Sequence, residues 1–175
     1  LWRGNTPVWM IYGSNATTES ASTRVLREGQ WIHVALVRAS SVLTLYLDGQ
    51  VEISQNDTVN YDHHGLTIGG VEGSFGELLG NISNFRLVKG TAVYTAPFKP
   101  PTAPLTNITN TKLLCCQGSS TTSATVIPSG SSITANGDPT ASSDSPFDDP
   151  AGHIFGESGS ESVIKCGSYM GNGSS

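Results

Sequence analysis

Three kinds of side chain in this 175-residue sequence have the types needed for chemistry: carboxylates, a pair of adjacent histidines, and cysteines. Hydrolysis of a glycosidic bond with retention needs two carboxyl groups about 5 Å apart, which alternation along one strand supplies. The acids stand apart instead, at Glu19, Glu28, Glu52, Glu72, Glu77, Glu157 and Glu161, and at Asp48, Asp57, Asp62, Asp138, Asp144, Asp148 and Asp149. Asp148 and Asp149 adjoin each other, between Phe147 and Pro150, and neighbours in an extended chain point apart. No Gly-x-Ser-x-Gly elbow, zinc-binding helix motif or phosphate loop is present. The expectation is therefore no enzyme and no catalytic residue.

His63 and His64 follow Tyr61-Asp62 in a polar stretch before Leu66. Adjacent imidazoles beside a carboxylate suit a metal or a bound ligand, and they equally suit a solvated loop tip. His33 lies in an apolar run, where a packed ring with a hydrogen-bond partner is expected. Asp48, Asp57 and Asp62 are the carboxylates available to a hard cation, which needs several converging oxygens, and no calcium-loop spacing joins them. Calcium stays open, and the expectation is no metal and no cofactor. Cys115 and Cys116 are neighbours, so in an extended strand their side chains face opposite ways and a bond between them is strained. One buried thiol and one nearer solvent are expected, both structural. Cys166 stands too far away to complete a metal site.

What remains is binding through flat rings, which stack on sugar faces without needing charge. Trp2, Trp9, Tyr12 and Tyr61 are the candidate exposed aromatics. The ligand-binding candidates are Trp9, Tyr12, Tyr61, His63 and His64. Trp9 and Tyr12 serve as well as strand residues packed on a core. Trp31 is assigned to the core.

The elements that must position these residues are strands. Trp31–Arg38 is an eight-residue run of aromatic, β-branched and aliphatic types between Gly29 and the break at Ala39-Ser40-Ser41. A short apolar run also fits a helix segment, but the flanking turn residues favour a strand. In Val42–Leu47 the residues Leu43, Leu45 and Leu47 share one face, the period of two that marks a strand with one buried side. Asp48-Gly49 supplies the two positive-φ positions of a tight hairpin, and Gln50-Val-Glu-Ile53 returns from it. Further strands are expected at Val8–Tyr12, Thr23–Leu26, Gln50–Ser54, Leu66–Ile68, Asn81–Val88 and Lys112–Cys116. The spacing of Ile82, Phe85 and Leu87 slips by one, which predicts a β-bulge at Ser83-Asn84. Thr91–Thr95 is expected to form a helical turn with Val93 and Tyr94 tucked inward. Pro97, Pro100, Pro101 and Pro104 hold the following stretch extended.

Charged residues make up only 13% of the chain, and its net charge is −5 without a Lys/Arg cluster, so nucleic acid is not the expected partner. No apolar run reaches the roughly 18 to 20 residues of a membrane-spanning helix, and no membrane insertion is expected. Residues 1–117 read as a β-sandwich and 118–150 as an extended Ser/Thr/Pro-rich connector. Within the connector Val126, Ile127, Ile133 and Phe147 are anchors. Residues 151–175 read as the start of a further β-domain, with Ser162–Tyr169 strand-like. The chain is already strand-like at Pro7–Tyr12 and stops at Gly173-Ser-Ser just after that further domain begins, so it is expected to be the middle of a longer polypeptide.

Those strands carry a family resemblance. The series Trp31-x-His33-Val34-Ala35-Leu36-x-Arg38, the hairpin Leu43-x-Leu45-Tyr46-x-Asp48-Gly49, the strand Leu66-Thr67-Ile68-Gly69-Gly70 and the closing Gly80-Asn81-Ile82-x-x-Phe85-Arg86-Leu87 resemble laminin-G-like domains of the concanavalin A-like lectin and glucanase superfamily. The resemblance spans roughly residues 8 to 117. It implies an all-β antiparallel jelly-roll sandwich, incomplete at the N-terminus because such domains have several strands before the one at Pro7–Tyr12; the fold serves adhesion, sugar binding and hydrolysis alike. The superfamily's glucanases carry a Glu-x-Asp-x-x-Glu strand that this sequence lacks. Some laminin-G-like domains hold calcium through an Asp and loop carbonyls.

A narrower resemblance covers Leu87–Gln117, the connector piece Ile133–Phe147 and Ser162–Tyr169. These are similar to virion structural proteins of tailed phages of marine cyanobacteria. That resemblance implies a virion protein on a tail fibre, spike or other exposed appendage, used for host attachment. Its implied partners are other virion proteins, copies of itself as a homo-oligomer, and a host cell-surface glycan. A capsid or tail scaffold without a ligand, and a carbohydrate-binding module of a bacterial surface protein, are the alternatives.

Overall fold

Apolar alternation and two tight turns generate the central sheet. A computed structural model describes residues 2–3, 6–11, 20–25, 27–60, 66–70, 78–147, 154–155 and 164–165. Strands β4 (Val34–Ala39), β5 (Val42–Leu47) and β6 (Gln50–Asn56) form an antiparallel sheet in that order. Both connections are two-residue hairpins. Asp48 (φ 49°) and Gly49 (φ 76°) are both left-handed, as the Asp-Gly pair predicts. Ser40 (φ 47°) and Ser41 (φ 63°) adopt the same conformation with neither Gly nor Asn present. The mirror-image turn matches strand twist closely enough to impose itself on two serines.

Register decides what is buried. Leu36, Leu45 and Ile53 lie side by side across the sheet, as do Val34 with Leu47 and Arg38 with Leu43. Leu43, Leu45, Leu47 and Ile53 are buried with Ile11, Ile32 packs against them, and Leu47 has 0% exposure. Each such side chain contributes about 1.5–3 kcal/mol. A register shift between Leu45 and Tyr46 leaves Glu52 without a direct partner on β5.

Ile11 comes from a second antiparallel sheet of β1 (Trp2–Arg3), β2 (Thr6–Ile11) and β3 (Ser20–Val25), so two sheets contribute to one core. β3 lies beside β6, where Ser20 Oγ donates to Gln55 Oε1. A third antiparallel sheet contains β7 (Phe85–Val88), β8 (Thr111–Cys115) and β9 (Ala124–Val126), and buries Leu114 and Cys115. β10 (Ile154–Phe155) pairs with β11 (Ile164–Lys165). All pairing is antiparallel and no helix occurs among the described residues, which is the all-β sandwich class that the alternation predicts.

Several local expectations are corrected. Leu66–Ile68 is not a strand: the chain bends at Ile68–Gly70 and Leu66 is 55% exposed. Gly69 (φ 83°) makes that bend, its carbonyl accepts from Leu78 N at 2.8 Å, and a Cβ there would stand 3.3 Å from Ile82 Cδ1. The closing strand begins at Phe85, and the slip is resolved by Asn84 in left-handed conformation (φ 57°). The register shift in β7 falls instead between Leu87 and Val88. Residues 91–96 form bends and no helical turn, although Val93 and Tyr94 are half-buried as expected. Trp31 precedes β4 and is 38% exposed, so it is not a core residue. Ile127 is exposed, whereas Val126, Ile133 and Phe147 are half-buried.

The prolines bring no N–H groups, so besides the backbone bond from Phe98 N to Gly49 O the stretch is held by side chains. Asn84 Oδ1 accepts from Leu105 N and from Gln117 Nε2, each at 2.8 Å, and Gln117 Nε2 also reaches Leu105 O at 2.7 Å. Arg86 Nη1 donates to Thr106 O at 3.1 Å. Asn81 Nδ2 donates to Asp144 Oδ2 at 2.8 Å, which ties the far end of the Ser/Thr-rich segment to the loop before β7.

Candidate functional site

Of the residues picked from sequence for ligand binding, Trp9 lies on β2, where the register with β3 shifts between Val8 and Met10. Tyr12, Tyr61, His63 and His64 lie outside the described residues. What the described structure does assemble is an aromatic cluster built on the Asp48-Gly49 turn.

Asp48 organises its base. Its Oδ1 accepts from His33 N at 2.9 Å, its own N donates to His33 O at 2.8 Å, and its Oδ2 forms an ion pair with Arg24. Gly49 O accepts from Phe98 N at 3.0 Å, so the strap after the third sheet's first strand docks on this turn. A Cβ at position 49 would meet Phe98 O at 1.8 Å, which only glycine avoids. Phe98 then stacks on Tyr94 with centroids 3.6 Å apart and planes at 4°. His33 meets both rings edge-on, at 6.2 Å from Tyr94 and 5.5 Å from Phe98, and Tyr46 lies 5.5 Å from Phe98.

His33 is the titratable member. Its Nδ1 is buried without a hydrogen-bond partner, where the sequence led us to expect a bonded ring. Burial lowers its pKa from 6.5, Asp48 opposes that shift, and Arg86 reinforces it. The ring is thus held neutral. A neutral imidazole beside a carboxylate already committed to Arg24 and a backbone amide packs well and has no partner for acid–base work.

Asp57, a buried carboxylate, is equally structural. Asp57 Oδ1 accepts from Val59 N at 2.9 Å and lies 3.9 Å from Arg38 Nη1. Arg38 also donates to Val59 O. Among the described residues no three His, Cys, Asp or Glu side chains converge as metal ligands.

The cysteines depart from expectation in geometry. Cys115 is buried and Cys116 half-buried, as the alternation predicts. Cys116, however, is left-handed (φ 60°), so the two side chains do not oppose each other and their Sγ atoms stand 3.7 Å apart. A cavity of ≈ 180 Å³ adjoins Cys115, lined also by Gln117, Gly118, Ser123, Ala124 and Thr125.

The aromatic cluster was missed because its members come from three segments far apart in sequence. The tucked Val93-Tyr94 was the only local signal. The fold is an all-β antiparallel sandwich, and the family comparison assigns its class. A laminin G model described as concanavalin A-like lectin/glucanases superfamily matches residues 1–93, more than half of the chain. The chain belongs to that superfamily. No curated protein and no solved structure matches it.

Proposed function

We propose that this chain is a non-catalytic structural component of a tailed-phage virion, whose laminin-G-like module binds a host cell-surface glycan. Membership of the lectin/glucanase superfamily frames the choice as binding or hydrolysis. One observation favours binding: the buried carboxylate Asp57 and the half-buried Asp48 are each committed to an arginine and a backbone amide, leaving neither to protonate a glycosidic oxygen. Support for the virion setting is the likeness of Leu87–Gln117 and the Ser/Thr-rich segment after it to phage structural proteins. Exposed apolar side chains also fit a chain that packs on other protein, since Leu36 is 57% and Leu79 97% exposed. Copies of itself and other virion proteins are the proposed neighbours.

Trp9, Tyr12, Tyr61, His63 and His64 remain the proposed ligand contacts, with no metal or cofactor. The test is a glycan array on the protein, followed by titration of the best glycan against Trp9→Ala and Tyr61→Ala. We expect retained folding and at least about tenfold weaker binding for one of them, the loss typical of removing an aromatic anchor. An array without a hit would leave the scaffold reading in its place.

A further inference from the structure

We propose that Cys115 and Cys116 form a vicinal dithiol site that a small-molecule disulfide closes into a reversible eight-membered ring. An ordinary strand prevents such a ring because consecutive Cβ atoms point to opposite faces. Here that obstacle is already removed by the fold. Left-handed Cys116 (φ 60°) turns its side chain back toward its neighbour, and the sulfurs meet at 3.7 Å. Closing to a bond of about 2.05 Å requires movement of roughly 1.6 Å. The cavity of ≈ 180 Å³ beside Cys115 leaves room for that shift.

The positive φ has an identifiable cause. Cys116 O accepts from Asn84 N at 2.9 Å, and the next residue, Gln117, bonds Asn84, Leu105 and Thr125. The chain must therefore leave β8 sharply to reach β7, the proline strap and β9 together. The dithiol sits at the junction of all three.

The reaction balances with the disulfide as oxidant. The half-buried Cys116 thiolate attacks one sulfur of the reagent, forming a mixed disulfide and releasing one small thiol. Cys115 then loses its proton to solvent and attacks the Cys116 sulfur, releasing the second small thiol. Two protein thiols are oxidised and one small disulfide is reduced to two thiols. The second step is the slower one at neutral pH. In the reduced protein burial, and secondarily the neighbouring Cys116, push the Cys115 thiol up to about 12; burial persists once Cys116 is capped, so the thiol stays raised and its thiolate fraction grows about tenfold per pH unit below its pKa. Strain in so small a ring makes it readily reducible.

The unmodified chain provides its own assay, because trypsin releases Leu113–Lys165, which holds Cys115 and Cys116 and excludes Cys166. The folded protein is treated with glutathione disulfide, denatured, alkylated with iodoacetamide, digested and weighed. The expected fragment is lighter than the fully reduced one by two hydrogens, carries no alkyl group, and regains both thiols with dithiothreitol. Its rate of formation rises with pH. A persistent glutathione adduct, a cross-link to Cys166 or to a second chain, or two alkylated cysteines would each overturn the proposal.

Discussion

Gly49 meets two demands at once. Its φ of 76° closes the hairpin, and its missing Cβ lets Phe98 O approach. Gly49→Ala therefore combines a left-handed penalty with a backbone clash, and should cost about 2–4 kcal/mol. Chemical denaturation measures that loss, and faster hydrogen exchange at the Phe98 amide would locate it. His33 carries a different dependence. Its folded pKa lies below its unfolded 6.5, so between those values the unfolded chain binds a proton that the folded chain refuses. Its neutral packing is undisturbed above that window, and stability falls as pH drops through it. Melting temperatures between roughly pH 8 and pH 5 should show this decline, and His33→Phe should flatten it. Of these two features, the turn chemistry of Asp48-Gly49 was legible in the sequence. The ring contacts of His33 were not, because Tyr94 and Phe98 reach it only through folding.

At the scale of elements, the two hairpins confine the central strands. Val42–Leu47 coincides with its predicted bounds because alternation and two turns confine it on both sides. Trp31–His33 was read as strand from composition, yet pairing starts at Val34, where Leu47 ends β5 opposite it. The same limit explains Leu66–Ile68, which has suitable residues and bends at Gly69 instead of pairing. The Ser40-Ser41 turn holds two side chains in left-handed backbone that Asn-Gly accepts more readily. Ser40→Asn with Ser41→Gly should stabilise the protein by about 1 kcal/mol, raising Tm by about 2–4 °C. No change in Tm would mean that the serines bear no strain there.

At the scale of the molecule, the first two sheets share the core of Ile11, Leu43, Leu45, Leu47 and Ile53, while Val34 and Leu36 on the same face of β4 stay 41% and 57% exposed. The core is thus concentrated under β5 and thins toward the β4 edge. A module of this kind displays surface. In the glycan experiment proposed above, the companion measurement is release of reducing sugar from the bound glycan. The expected outcome is binding without turnover, and steady release of product would contradict the assignment of Asp48 and Asp57 to structural bonds.

The class of fold and the central hairpin were readable from the residues alone, because a period of two and an Asp-Gly pair act over neighbouring residues whatever lies elsewhere. The alternation marked Leu43, Leu45 and Leu47 as the buried side of β5, but not that Tyr46 on the opposite face is buried as well, 3% exposed beneath Phe98. That Phe98 sits on Gly49, that His33 is caged by rings, and that Cys116 turns back toward Cys115 emerged only on folding. Those arrangements depend on segments distant in the chain competing for the same hydrogen bonds and the same space, and no local pattern records the result.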